Sequence, residues 1–238
     1  MCAAEDLGRP LKILWRQEAL FRGDFEQFIQ VTPEQTGKLK VFPVEMPHPK
    51  EVKCVTQEDW NAVAAGKQPQ DSIVIASYSH FYTADPERWL RHLRSLEPSL
   101  EVQGRFVFYR AQLPLAYVGV HIRRTDSAPA IRDSPTEAFL EVLGTYPETT
   151  QFFVASDDDR ERVTLKAAFP GRVHTVATQL ERTSAEGCLQ GWLELLLLAD
   201  ATELVGCVYS SFAEVAAAYG ECPLRRATTL KAPPIGTE

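Results

Sequence analysis

Val118-Gly119-Val120-His121-Ile122-Arg123-Arg124-Thr125-Asp126 is the stretch around which the rest of the chain is organised. Residues 116–120 are an apolar run that reads as a buried strand, and the run ends in a loop bearing a histidine, two adjacent arginines and an aspartate. An arginine pair at a strand end is costly unless something anionic faces it. The planar guanidinium suits phosphate, because it donates parallel hydrogen bonds and stays charged at any physiological pH. In open α/β sheets ligands bind beyond the carboxyl ends of the strands, where this loop falls. Residue by residue, a surface Arg–Asp pair and a core histidine fit equally well. The cluster as a whole favours an anion pocket.

Downstream, strand and helix alternate. Ser134-Pro135-Thr136-Glu137 reads as a capping box with proline at the first helical position, opening a helix that runs to about Tyr146. Residues 151–155 form the next strand, followed by a helix over 158–169 closed by Pro170-Gly171, and residues 172–176 form a third strand. Thr183-x-x-Glu186 reads as a second capping box, before a helix whose Leu189, Trp192, Leu193, Leu196 and Leu197 face the core. A fourth strand over 203–208 leads to Ser211-x-x-Glu214, the cap of a last helix ended by Gly220. Four β-α units in sequence predict a parallel sheet with helices on both faces.

Upstream the pattern is less regular. Residues 11–15 and 72–76 read as strands, and Phe21, Phe25, Phe28 and Ile29 recur at helical spacing. Residues 31–53, with four prolines, read as irregular with at most one edge strand, and 57–65 as a helix carrying Trp60. Asp85-Pro86 starts a helix with Trp89, Leu90, Leu93 and Leu96 as its apolar face, and a second helical piece begins near Pro98. Gln112-Leu113-Pro114 marks a hinge, dividing the chain into 1–112 and 113–238.

The 238 residues are 45% hydrophobic and 24% charged, ordinary for a globular protein with a sizeable core. A net charge of −7 argues against a general nucleic-acid binder while permitting a local basic pocket. The five cysteines are widely spaced without Cys-x-x-Cys, unlike a zinc site or a disulfide framework, and Cys188 and Cys207 read as small buried hydrophobes. Neither a signal peptide nor a membrane-spanning run is legible, so the expected location is cytoplasmic.

Three strand ends carry polar clusters: His121 to Asp126, Ser156-Asp157-Asp158-Asp159, and Tyr209-Ser210-Ser211. In a parallel sheet these share one edge. A helix beginning after Ser210-Ser211 offers backbone N–H groups and the positive end of its dipole to a phosphate. Together with the two arginines it would make a diphosphate pocket. Asp157-x-Asp159 invites a metal, but acids in the first turn of a helix favour its dipole without one, so no metal is expected.

His121-Ile122-Arg123-Arg124-Thr125-Asp126 resembles the first motif of the α1,6-fucosyltransferase superfamily, which includes nodulation and protein O-fucosyltransferases. Phe153-Val154-Ala155-Ser156-Asp157-Asp158 resembles its second donor-domain motif, and Asp200-Ala201-Thr202-Glu203-Leu204-Val205 through Ser210-Ser211-Phe212 its third. Upstream, Gly8 to Trp15 resembles a strand of the family's N-terminal domain. The resemblance implies a GT-B-like α/β fold, with a C-terminal Rossmann-like parallel sheet that holds GDP-fucose and an N-terminal α/β domain on the acceptor side. It implies transfer of fucose, with inversion, to a glycan or protein hydroxyl, with no cofactor or metal.

By the same resemblance Arg123 neutralises the β-phosphate, while His121, Arg124 and Asp126 shape the donor site. Asp157 would contact the nucleoside, and Ser210 and Ser211 the diphosphate. The chain departs from the pattern twice. The family's Gly-x-Gly-Asn strand–loop–helix has no counterpart, so a shortened N-terminal domain is expected. Asp133 is the nearest carboxylate available as a base. A non-catalytic GDP-sugar-binding relative is the alternative.

Overall fold

A five-stranded, wholly parallel sheet carries the second half of the chain in the computed structural model, which describes residues 11–14, 25–30, 39–42, 52–54, 62, 65, 73–75, 87–176 and 184–230. Its strands are β5 (Val118–Ile122), β6 (Phe152–Ser156), β7 (Val173–His174), β8 (Glu203–Cys207) and β9 (Leu224–Ala227), in the order β7-β6-β5-β8-β9. The chain therefore builds outward from β5 to one side, then returns and builds to the other. The reversal lies between β5 and β8, and such a switch point is where open α/β sheets leave a crevice at their carboxyl edge.

All five residues of β5 and of β6 are buried, as expected for a parallel strand covered on both faces. Side chains alternate between two cores. Val118, Val120, Ile122, Phe152, Val154, Val205 and Cys207 pack on one face with Ala130, Ala138, Phe139, Leu143 and Leu165. These come from three helices: α4 (Ala128–Asp133), α5 (Thr136–Gly144) and α6 (Asp159–Ala168). Tyr117, Phe153, Ala155 and Leu204 pack on the other face with leucines 193, 195, 197 and 198 and with Ala216. These belong to α7 (Ala185–Ala199) and α8 (Ser211–Gly220), beside which lies α3 (Leu100–Arg110) with Phe106 and Tyr109. The α/β architecture with helices on both faces is the expected one. Strand β9 and the short helix α4 extend it.

The capping pattern needs correction at three serines or threonines. Ser134 does not cap α5, whose N-cap is Pro135; its buried hydroxyl instead accepts from the backbone N–H of Val208 at 3.0 Å. Helix α7 is capped by Ser184, which accepts from the Gly187 N–H at 3.0 Å, one residue past the expected Thr183. Helix α8 begins at Ser211 with Ser210 as its N-cap, and Glu214 reaches Arg226 rather than its own first turn. Where α8 ends, a Cβ on Gly220 would lie 1.8 Å from the Ala199 carbonyl oxygen. Only glycine permits that approach of α7 and α8.

The chain divides into two compact units, the described residues up to Pro98 in the first and those from Ser99 in the second. In the first, β1 (Leu11–Leu14) pairs in parallel with β2 (Leu39–Phe42), and β3 (Val52–Cys54) with β4 (Ile73–Ile75), so β2 and the start of β3 fall within 31–53, where at most one edge strand was expected. Helix α1 (Phe25–Phe28) is followed by an antiparallel bridge between Ile29 and Pro98. In α2 (Arg88–Arg94) no residue is buried, so the expected apolar face is not a core face. The expected helix over 57–65 and the Asp85-Pro86 start lie outside the described residues, except for positions 62 and 65. Among the described residues no helix is long and apolar enough to cross a membrane.

Candidate active site

The loop after β5 sits at the carboxyl edge beside the switch point, and the geometry divides its two arginines. Arg124 turns inward. Its side chain is 8% exposed, and its Nε donates to Glu161 Oε1 at 2.7 Å, the Glu161 side chain being 10% exposed. Its Nη1 donates to the backbone carbonyl of Arg123 at 3.0 Å, and its guanidinium carbon lies 5.8 Å from the centre of the Phe139 ring. Thr136 donates its hydroxyl to Glu161, 2.8 Å from Oε1. This is a buried ion pair between the loop, α5 and α6.

Arg123 is the more exposed partner of the pair. Its Nε and Nη2 reach Asp126 Oδ1 and Oδ2, each at 2.7 Å, with the side chains 26% and 47% exposed. The guanidinium thus already holds a planar, two-oxygen anion, with its own loop supplying the carboxylate. Its backbone N–H donates to the Cys207 thiol at 3.3 Å. Burial pushes that thiol above the usual cysteine range, so it stays protonated there.

Asp157, at the end of β6, fastens the loop from the opposite side. Its Oδ1 accepts the Arg124 N–H at 2.7 Å, and its Oδ2 accepts the Thr125 hydroxyl at 2.7 Å and the Thr125 N–H at 3.3 Å. Asp157 lies before the cap of α6, not in its first turn as expected: Asp158 is the N-cap and accepts from the Arg160 N–H at 2.9 Å. The Arg160 guanidinium holds the Asp158 carboxyl below the usual range. Asp159, the other half of the possible metal pair, accepts from Arg162 Nη1 at 2.5 Å.

His121 is 8% exposed. Its Nδ1 lies 3.2 Å from the Ser210 hydroxyl, and its ring stacks on Phe212 with centroids 4.7 Å apart. This links the end of β5 to the start of α8 across the switch point. Ser210 is fully buried, and Ser211 is exposed in the first turn of α8, where Ser210 makes no side-chain cap. Tyr209, just before them, adopts a left-handed backbone at φ 57° with its side chain exposed, a conformation unfavourable for a bulky residue.

Asp133 closes α4. Both its carboxylate oxygens accept from Arg132 at 2.6 Å, and its backbone carbonyl accepts from Thr228 Oγ1 and the Thr229 N–H. Arg132 holds the Asp133 carboxyl below the usual range.

Sequence reasoning missed Glu161, Thr136 and Cys207, which hold the loop from beneath. It also missed a buried polar group near the end of β6. There Arg162 donates to the Ser156 carbonyl at 2.6 Å and to Glu194 Oε1 at 3.2 Å, and Gln190 donates to the same oxygen at 3.2 Å. Burial pushes the Glu194 carboxyl up to about 7. Within a helix read as apolar, a Gln-x-x-x-Glu spacing was the available signal.

The fold is that of the GT-B-like fucosyltransferases. The NodZ α-1,6-fucosyltransferase soaked with GDP-fucose matches with a TM-score of 0.62 at 18% identity, over 91% of this chain and 84% of that one. NodZ from Bradyrhizobium matches with a TM-score of 0.60 at 16% identity, over 90% and 84%. POFUT1 in complex with GDP matches with a TM-score of 0.58 at 15% identity, over 96% and 92%. The resemblance carried by the three motifs therefore extends to the fold. No family model matches the chain, and no curated protein matches it in sequence.

Proposed function

We propose that the protein is a glycosyltransferase, specifically an inverting fucosyltransferase that moves fucose from GDP-fucose to a glycan or protein hydroxyl. Residues 1–112 would serve the acceptor and 113–238 the nucleotide sugar. The observation that carries this is the Arg123 fork at the switch-point edge, held by the two oxygens of Asp126. A β-phosphate presents the same kind of oxygen pair and carries more charge, so it can replace the carboxylate. GDP departure builds charge on that phosphate, and a preorganised guanidinium stabilises the transition state more than the ground state. Further support comes from the N-terminus of α8 beside Ser210 and Ser211, which favours a phosphate, and from NodZ and POFUT1, whose structures contain GDP-fucose or GDP.

His121 would join the donor site through Ser210, and Asp126 and Asp157 through the shape of the loop. Asp133 is the proposed base. Because Arg132 keeps it ionised and weakly basic, proton removal from the acceptor would depend on charge already developed at the sugar. That same ion pair supports the second reading, a non-catalytic GDP-sugar binder. Calorimetry with GDP, UDP and CMP in the presence of EDTA tests the proposal. Binding of GDP alone is expected, and equal affinity for UDP, or GDP binding restored only by manganese, would refute the metal-free fucosyltransferase. Hydrolysis or transfer of GDP-fucose then separates the enzyme from the binder.

A further inference from the structure

We propose that Glu161 is a positioning residue for the donor loop, acting through Arg124 to set the direction in which Arg123 meets a nucleoside diphosphate. The inference rests on the proposed function and deepens it. The peptide joining Arg123 to Arg124 is held at both its polar groups: its carbonyl accepts from Arg124 Nη1 at 3.0 Å, and its N–H donates to Asp157 at 2.7 Å. The N–H of Arg123 is held by Cys207 at 3.3 Å. Those ties fix both backbone torsions of Arg123, and hence the bearing of its side chain. The grip on the carbonyl depends on a guanidinium anchored elsewhere, and the anchor is Glu161, at 2.7 Å and backed by Thr136.

An acid in the first turn of α6 also favours the helix dipole, but that purpose needs no burial. Glu161 is instead buried against a buried arginine. Such pairs are often no more stabilising than apolar residues of the same volume, so stability alone does not account for this one. The place of Glu161 beneath the loop does.

The test compares GDP with guanosine, which lacks the phosphates. In the full-length protein, Glu161→Gln is expected to weaken GDP binding about tenfold or more while leaving guanosine binding unchanged. A residue that merely supports the fold would weaken both alike or neither. A parent protein that binds no GDP refutes the proposed function, and with it this role. A parent that binds GDP beside a Glu161→Gln variant that binds it equally, or loses GDP and guanosine in parallel, overturns the positioning role alone. Should the single variant fail to fold, Arg124→Met/Glu161→Leu replaces the buried pair by apolar side chains. It is expected to melt near the parent temperature and to show the same selective loss of GDP. Undiminished GDP binding in that variant overturns the role.

Discussion

Replacing each arginine of the pair by methionine separates a ligand-facing residue from a strut. Arg123→Met removes a partly exposed pair with Asp126, worth about 0.2–1 kcal/mol, and Asp126 is exposed enough to be rehydrated. Arg124→Met leaves the Glu161 carboxylate buried with only a threonine hydroxyl beside it. Breaking a buried pair on one side costs about 3–5 kcal/mol. At about 2–4 °C per kcal/mol for a chain of this size, Arg124→Met should melt roughly 6–20 °C lower. Arg123→Met should stay within about 4 °C of the parent. The effect of Arg123→Met falls on binding instead. Arg123→Met loses a charge-assisted contact of about 1.5–3 kcal/mol, which is roughly ten- to a hundredfold in GDP affinity, with the fold intact. Differential scanning fluorimetry and calorimetry on the same preparations read both quantities. An Arg123→Met protein that melts far below the parent yet binds GDP normally would make the Arg123–Asp126 pair a structural clasp and refute the phosphate role.

Glu194 predicts a pH dependence of stability. With its folded pKa raised from about 4.5 to about 7, the folded protein holds a proton that the unfolded chain has lost, so stability falls as pH rises through that window and levels off above it. At about 1.4 kcal/mol per pH unit the fall is about 3 kcal/mol, and Glu194→Gln should abolish it; equal slopes in melting curves of the two proteins would contradict the assignment. Gly220→Ala forces a Cβ into the Ala199 carbonyl and should cost about 1–3 kcal/mol or more, and an unchanged melting temperature would show that α7 and α8 do not meet there as described.

The central strands were legible because they are buried on both faces and therefore read as unbroken apolar runs, as in Phe152-Phe153-Val154-Ala155. Strand β9 was not. Leu224-Arg225-Arg226-Ala227 carries two arginines, which an edge strand tolerates and a search for apolar runs passes over. Helix α4 begins Ala128-Pro129-Ala130 inside the loop, too short for periodicity to register. The serines misled for another reason. A Ser-x-x-Glu pattern states that a hydroxyl and a carboxylate could meet around one turn, but not that a better partner is elsewhere. Ser134 found the Val208 N–H 74 residues away, and Glu214 found Arg226. The clusters at the strand ends could be read from the sequence. Their meeting at the switch point required the strand order, because His121 and Ser210 are 89 positions apart.

What the sequence alone could not divide was the arginine pair, yet the division follows from the strand that delivers it. Along β5 and the residue before it the odd positions face α7 and α8: Tyr117 packs there, and His121 meets Phe212. The even positions, Val118, Val120 and Ile122, face α4, α5 and α6. If that two-residue alternation persists one step past the strand, Arg124 inherits the side of Ile122. That side carries Phe139, Thr136 and Glu161, and there Arg124 is found. Arg123 inherits the parity of His121, and so belongs to the side of Phe212 and the start of α8. Adjacent arginines at the end of a doubly covered strand are thereby assigned different work by geometry alone. Arg124 goes under the sheet edge, where burial requires a carboxylate to receive it, and Arg123 stays at the edge with its fork on Asp126. A single arginine at either position would supply the anchor or the proposed anion contact, but not both.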